Sequence, residues 1–142
     1  MVVPYPALVK YPSIDEYRKH FERVYCQGPV LTFDGIPVRF RKNTFGHAFF
    51  ESRHSKDDTF SQKRAERIDW IKAALEDPNS ERYVGWDNRR KRYDRRRRVT
   101  VVMGDYVVVI ELTRKGKALF RTAFVADSGR TLNLIRQSPC WK

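Results

Sequence analysis

Cysteine, histidine and glycine are all scarce in this 142-residue chain, which holds two cysteines, three histidines and seven glycines. Two cysteines make neither a disulfide framework nor a Cys-rich metal site. The histidines show none of the usual metal-ligand spacings, and no metal or cofactor is expected. There is no glycine-rich phosphate loop and no G-x-S-x-G elbow, which excludes P-loop nucleotide hydrolysis and acyl transfer from such an elbow. No run approaches the ~18 apolar residues of a membrane-spanning helix. The first residues, MVVPYPALVKYP, lack the charged start and long apolar stretch of a signal peptide. With Cys26 and Cys140 taken as reduced thiols, whose pairing stays open, the expected setting is cytoplasmic with no membrane partner. No internal repeat is visible.

Acidic residues are also few. Against 17 Asp and Glu stand 29 Lys and Arg, a formal net charge of +12. The excess is uneven. Residues 1–38 are net neutral, residues 39–98 carry net +8 and residues 99–142 carry net +4. Eight of the ten residues in RRKRYDRRRR (Arg89–Arg98) are basic. Concentrated charge of this kind repels itself unless a polyanion meets it, so the expected partner is a nucleic acid.

The expected architecture is α+β, with N-terminal helices on a four- to five-stranded antiparallel sheet. Hydrophobic residues at 41% suffice for a packed core, and residues 1–142 are read as a single domain. Residues 1–12 hold three prolines and read as an irregular arm. Residues 13–26 form the first helix, with SIDE as a capping box on Ser13 and Ile14, Tyr17, Phe21 and Val24 as its apolar stripe. His20 on this helix reads as a surface or packing residue. Residues 30–142 form the core of the domain. VLTF-DG-IPVRF reads as a hairpin with a type I′ turn at Asp34–Gly35, and Pro37 places its second strand at an edge. Thr59, with Gln62 three residues on, is expected to cap a helix over Phe60–Glu76. Strands then follow one another through short turns, which join antiparallel neighbours. Tyr106–Leu112 is apolar on both faces and reads as central. In Ala118–Val125, Ala118, Phe120, Thr122 and Phe124 are expected to share a face, with Arg121 opposite. A short helix over Thr131–Arg136 closes the chain.

These residues suit metal-free RNA cleavage. RNA carries its own nucleophile, the 2′-hydroxyl, so a protein needs a base, an acid and cations for the developing phosphorane charge. His47 offers proton transfer and the many arginines and lysines offer charge; a packed core histidine among Phe45, Phe49 and Phe50 is the competing reading of His47. Within Arg89–Arg98, one face of an extended strand is expected to follow an RNA backbone. Arg89, Arg90, Arg92, Arg95 and Arg97 supply the cations, and Tyr93, with Trp86 before it, stacks on unpaired bases. The plain alternative is a solvated charged hairpin. Two other functions fit the composition. One is a non-catalytic basic module that binds RNA or DNA. The other is a Mg²⁺-dependent DNase using Glu51, Asp57 and Asp58.

The ordered set FDGIPVRFRKNTFGHAFFES (Phe33–Ser52), FSQKRAERIDWI (Phe60–Ile71), FRTAF (Phe120–Phe124) and SPCW (Ser138–Trp141) resembles phage-associated nucleases of the barnase–EndoU–colicin–RelE-like superfamily. The resemblance spans roughly Val30 to Trp141. It implies a metal-independent endoribonuclease, of the kind used as a toxin or a mobile-element weapon. His47 matches the histidine after the first hairpin, as general acid or base. Arg64 and Arg67 match the basic positions before the helix tryptophan and imply a phosphate clamp. Thr122 matches the hydroxyl residue of the T-A-aromatic strand. Lys63, Arg121 and Ser138 are assigned to RNA contact, with Ser138 and Trp141 closing the site from the C-terminus. His54 is the position at which an EndoU-type second histidine would stand. A toxic ribonuclease implies a neutralising partner, and an acidic antitoxin or immunity protein fits the charge.

Overall fold

The structure, a computed structural model, describes residues 5–87 and 90–141. The fold is α+β. Helix α1 (Ile14–Val24) starts where Ser13 Oγ accepts the Glu16 N–H at 3.3 Å, and it buries Tyr17, His20 and Phe21. Strands β1 (Val30–Leu31) and β2 (Pro37–Arg39) pair antiparallel. Only Gly35 in their loop has a positive φ, +90°, so the connection is a longer loop rather than the type I′ turn, which needs two such residues. Thr32 Oγ organises that loop, donating to Asp34 and accepting the Ile36 N–H.

A 3₁₀ turn (Lys42–Thr44) leads into a single helical turn, α2 (Phe45–Ala48). Strands β3 (Phe50–Glu51) and β4 (Thr59–Phe60) make a two-stranded ribbon. Helices α3 (Gln62–Glu66) and α4 (Ile68–Glu76) follow. Then come β5 (Glu81–Asp87), β6 (Arg92–Met103), β7 (Tyr106–Leu112), β8 (Ala118–Val125) and α5 (Gly129–Arg136).

The main sheet has six strands in the order β1-β2-β8-β7-β6-β5, more than the four or five expected. It is antiparallel except for β2 against β8, which run parallel. That pairing is long-range, so short turns do not dictate its direction. It also places β2 inside the sheet, with β1 at the margin. Pro37 is tolerated because it opens its strand.

The expected helix over Phe60–Glu76 is two helices. Thr59 and Phe60 lie in β4, where Phe60 packs on Phe50 with ring centroids 5.5 Å apart. Burying that ring outcompetes the Thr59 cap. Ser61 caps instead, accepting the Arg64 N–H at 3.3 Å. Arg67, at φ −99° and ψ 22°, breaks the helix before α4.

The core lies between the sheet and helices α1 and α4. Phe21 is fully buried at its centre, with Tyr25, Phe40, Phe45, Phe49 and Phe120 around it at ring distances of 5.6–6.3 Å. The opposite sheet face buries Tyr83, Val102, Val107 and Ala126 beneath Leu132 and Ile135 of α5. Both faces of β6 and β7 are therefore covered, which is why their sequences read as nearly unbroken apolar runs. Residues 5–12 form no helix or strand, as expected of an arm. The arm is tied down by Tyr5 stacked on Trp70, a Trp70 N–H to Pro6 carbonyl bond, and Tyr11 hydrogen-bonded to His20. His20 is buried and also bonds Asp69 at 2.8 Å, so it joins the arm, α1 and α4. Among the described residues, no helix is long and apolar enough to cross a membrane.

Two irregularities decide where side chains go. In β8, Phe120 pairs with Ile110 and Thr122 pairs with Val109, which leaves Arg121 as an extra, bulged residue. Ala118, Phe120 and Ala123 consequently face the main core, while Phe124 packs with the second cluster. The expected single face for Ala118, Phe120, Thr122 and Phe124 is thus split at the bulge. In the β5–β6 ladder, Val84 pairs with Val99 but Gly85 pairs with Asp94. Residues 95–98 are the insertion between the two segments of this ladder.

Candidate active site

The clearest concentration of reactive groups lies beside the second half of β8. Strand β2 pairs with β8 only at Ala118 and Leu119, so this flank opens next to the β3–β4 ribbon. His47, Phe50, Glu51, Ser52, Asp57, Arg64, Thr122 and Phe124 line a cleft of about 410 Å³ there.

The α2 turn positions His47. Phe45, Ala48 and Phe49 are buried at one-turn spacing, which turns His47 outward with half its side chain exposed. The packed-histidine alternative is therefore not what the structure has. Its Nδ1 stands 3.2 Å from Asp57 Oδ2.

Asp57 reaches that position from the loop between β3 and β4. Its φ is +54°, a left-handed conformation that aspartate accepts more readily than most residues. Its N–H donates to Ser52 Oγ at 2.9 Å. Asp58 binds the loop together. Its carboxylate accepts the N–H groups of Arg53, His54 and Ser55 at 2.9–3.0 Å, and the Thr59 hydroxyl. The Arg53 N–H, with those of Ser55 and His54, holds the Asp58 carboxyl well below the ordinary aspartate range.

Arg64 enters from α3. Its Nη1 donates to the carbonyls of Ala48 and Phe50 at 3.3 Å, and its guanidinium lies 5.9 Å from the Phe124 ring centre. It thereby bridges the end of the His47 turn to β8 and brings a fixed cation to the cleft. Thr122 is half-buried on β8 across the same cleft. Glu51, at 43% side-chain exposure, is the remaining carboxylate on the lining. A second cavity of about 630 Å³ shares Glu51, Arg64 and Phe124 with the first and extends to Lys63, Asp127 and Ser128. Lys63 forms an ion pair with Asp127 there.

The cleft therefore unites His47, Arg64 and Thr122, with Lys63 in the adjoining cavity. The other expected site residues lie elsewhere. The break before α4 sends Arg67 over Trp70, 5.0 Å from the ring centre, with Nη1 bonded to the Lys63 carbonyl. Arg121 is exposed at the bulge and pairs with Glu111 at 3.5 Å. Ser138 Oγ bonds the Leu134 carbonyl at the end of α5. The tail beyond it runs along the outer edge of β5, through Val84 N–H to Pro139 and Trp141 N–H to Arg82, so Ser138 and Trp141 do not close the His47 cleft. His54 stands in the Asp58 loop and does not line the cleft. Arg90 lies in the β5–β6 turn, and Arg92, Tyr93, Arg95 and Arg97 lie on β6. Arg89 is outside the described residues. Cys26 and Cys140 are both free.

Of the carboxylates Glu51, Asp57 and Asp58, the first two line the cleft and the third does not. Asp58 is taken up by its own loop and Asp57 by His47. Among the described residues, no three His, Cys, Asp or Glu side chains are grouped to hold a metal ion. The residue that sequence reasoning assigned differently is Asp57, expected only as a metal ligand; a spacing of ten residues from His47 carries no periodic signal. Phe50 and Phe124 also line the cleft without having been singled out for it.

No protein-family model, curated protein or solved structure matches this chain.

Proposed function

We propose that the chain is a metal-independent endoribonuclease that cleaves RNA by attack of the 2′-hydroxyl, with His47 as its central proton-transfer residue. The observation that carries this reading is the joint presence of an exposed histidine–carboxylate pair and a fixed arginine in one cleft. The motif resemblance to barnase–EndoU–colicin–RelE-like nucleases and the α+β architecture support the same reading.

The chemistry follows from the contacts. With Nδ1–H donating to Asp57, Nε2 carries the lone pair. Nε2 takes the 2′-hydroxyl proton as that oxygen bonds to phosphorus. The departing 5′-oxygen takes a proton from solvent as its bond to phosphorus breaks. Arg64 and the Thr122 hydroxyl donate to the phosphorane oxygens, whose added charge is where fixed donors act most strongly. The products are a 2′,3′-cyclic phosphate and a 5′-hydroxyl. Mapping the ends of cleaved RNA tests this. Cyclic phosphate ends are expected, and 3′-hydroxyl with 5′-phosphate ends would refute the mechanism.

The toxin or mobile-element role belongs to the same proposal and rests on the motif resemblance. An acidic antitoxin or immunity protein is its matching partner, supported by the charge of +12.

A further inference from the structure

The exposed end of the β5–β6 hairpin is not used by the cleft. Trp86 and Tyr93 stand directly opposite each other there. Their ring centroids are 5.1 Å apart and their planes meet at 81°. They are 48% and 39% exposed, whereas the core rings around Phe21 are buried. The edge-to-face contact restrains both rings, so less side-chain freedom is left to lose on binding.

The neighbourhood is cationic. Arg90 and Lys91 lie in the turn, Arg92 precedes Tyr93, and the Arg95–Arg98 insertion separates this end from the main ladder. Gly85 sits at that break because a Cβ there would come 2.5 Å from Arg98 Cβ. A larger residue would force β5 and β6 apart where the aromatic end begins.

We infer that the Trp86–Tyr93 pair is a stacking platform for an unpaired base, and that the enzyme's substrate is single-stranded RNA gripped at this hairpin. The inference rests on the ribonuclease reading and narrows its substrate. Cations alone would hold duplex and single strand alike, since phosphate contacts position without specifying. Exposed aromatic faces favour the single strand, whose bases offer free π-surfaces, and each stacked base contributes strongly to such binding.

The test uses a 2′-O-methyl RNA oligonucleotide, which keeps the base and phosphate but blocks the nucleophile, so that binding is read apart from cleavage. The single strand and its duplex are titrated against the full chain at fixed salt. The single strand is expected to bind more tightly and to quench tryptophan emission. Trp86→Ala is expected to weaken single-strand binding about 5- to 140-fold, the range for one lost stack, and to leave duplex binding unchanged. Trp86→Phe is expected to restore most of the loss. Equal losses on both forms, or no loss on the single strand, would overturn the inference. Binding through Trp86 without any cleavage of natural RNA would sink the ribonuclease reading and leave the platform standing.

Discussion

His47 Nδ1 and Asp57 Oδ2 lie 3.2 Å apart at the mouth of a cleft built from three separate parts of the chain. In the proposed mechanism the carboxylate holds the proton on Nδ1 and steadies the imidazolium formed when Nε2 takes another. Asp57→Asn keeps the shape and removes the charge. General acid–base catalysis contributes about 10²–10⁴-fold, and orientation is part of it. RNA cleavage is expected to fall about 10- to 100-fold in kcat, with KM little changed. Steady-state kinetics on a short RNA checks this.

Arg64 is expected to matter more for rate than for binding. Removing one donor aimed at developing charge costs about 10²–10³-fold elsewhere, and Arg64→Ala should fall in that range. Arg64→Lys should recover little, because an ammonium does not reproduce a planar fork with bonds to Ala48 and Phe50. Single-turnover rates separate this from weaker substrate binding.

His20 provides the contrast. It is buried between Tyr11 and Asp69, so His20→Ala leaves two polar groups without their partner. A loss of about 1–3 kcal/mol of stability is expected, read by denaturant unfolding. Cleavage per folded molecule should stay near wild type.

The Asp58 loop carries a pH dependence. Its carboxyl is depressed in the folded chain, chiefly by the Arg53 N–H. The ordering it provides is therefore complete above the ordinary aspartate value of about 3.9 and is lost as pH falls toward the lower folded value. Amide exchange at Arg53, His54 and Ser55 should accelerate over that acid range. Asp58→Asn should show the faster exchange at neutral pH, and should reduce cleavage because the same loop presents Asp57.

How much of this was legible in the residues depended on range. The Ser13 cap is a local signal, and the apolar run Tyr106–Leu112 reflects burial on both faces. The histidine after the first hairpin, the arginine before the helix tryptophan and the threonine of the last strand come together in the cleft, following the ordered motifs. Three other assignments diverged through features without a sequence period. The break at Arg67 placed its guanidinium over Trp70 rather than on the cleft lining. The bulge at Arg121 reset the faces of β8. Ser138 stayed at the end of α5, and the tail beyond it followed β5. The parallel β2–β8 pairing and the His47–Asp57 contact are likewise non-local, and Asp57 depends on a left-handed residue inside a loop.

The most direct measurement is a time course of total RNA with the purified chain in EDTA, comparing wild type with His47→Ala at matched folded fraction. Wild type should cleave, and His47→Ala should be slower by about 10²-fold or more. No cleavage by wild type, activity only after Mg²⁺ is added, or undiminished cleavage by His47→Ala would contradict the assignment of a metal-independent, His47-centred ribonuclease.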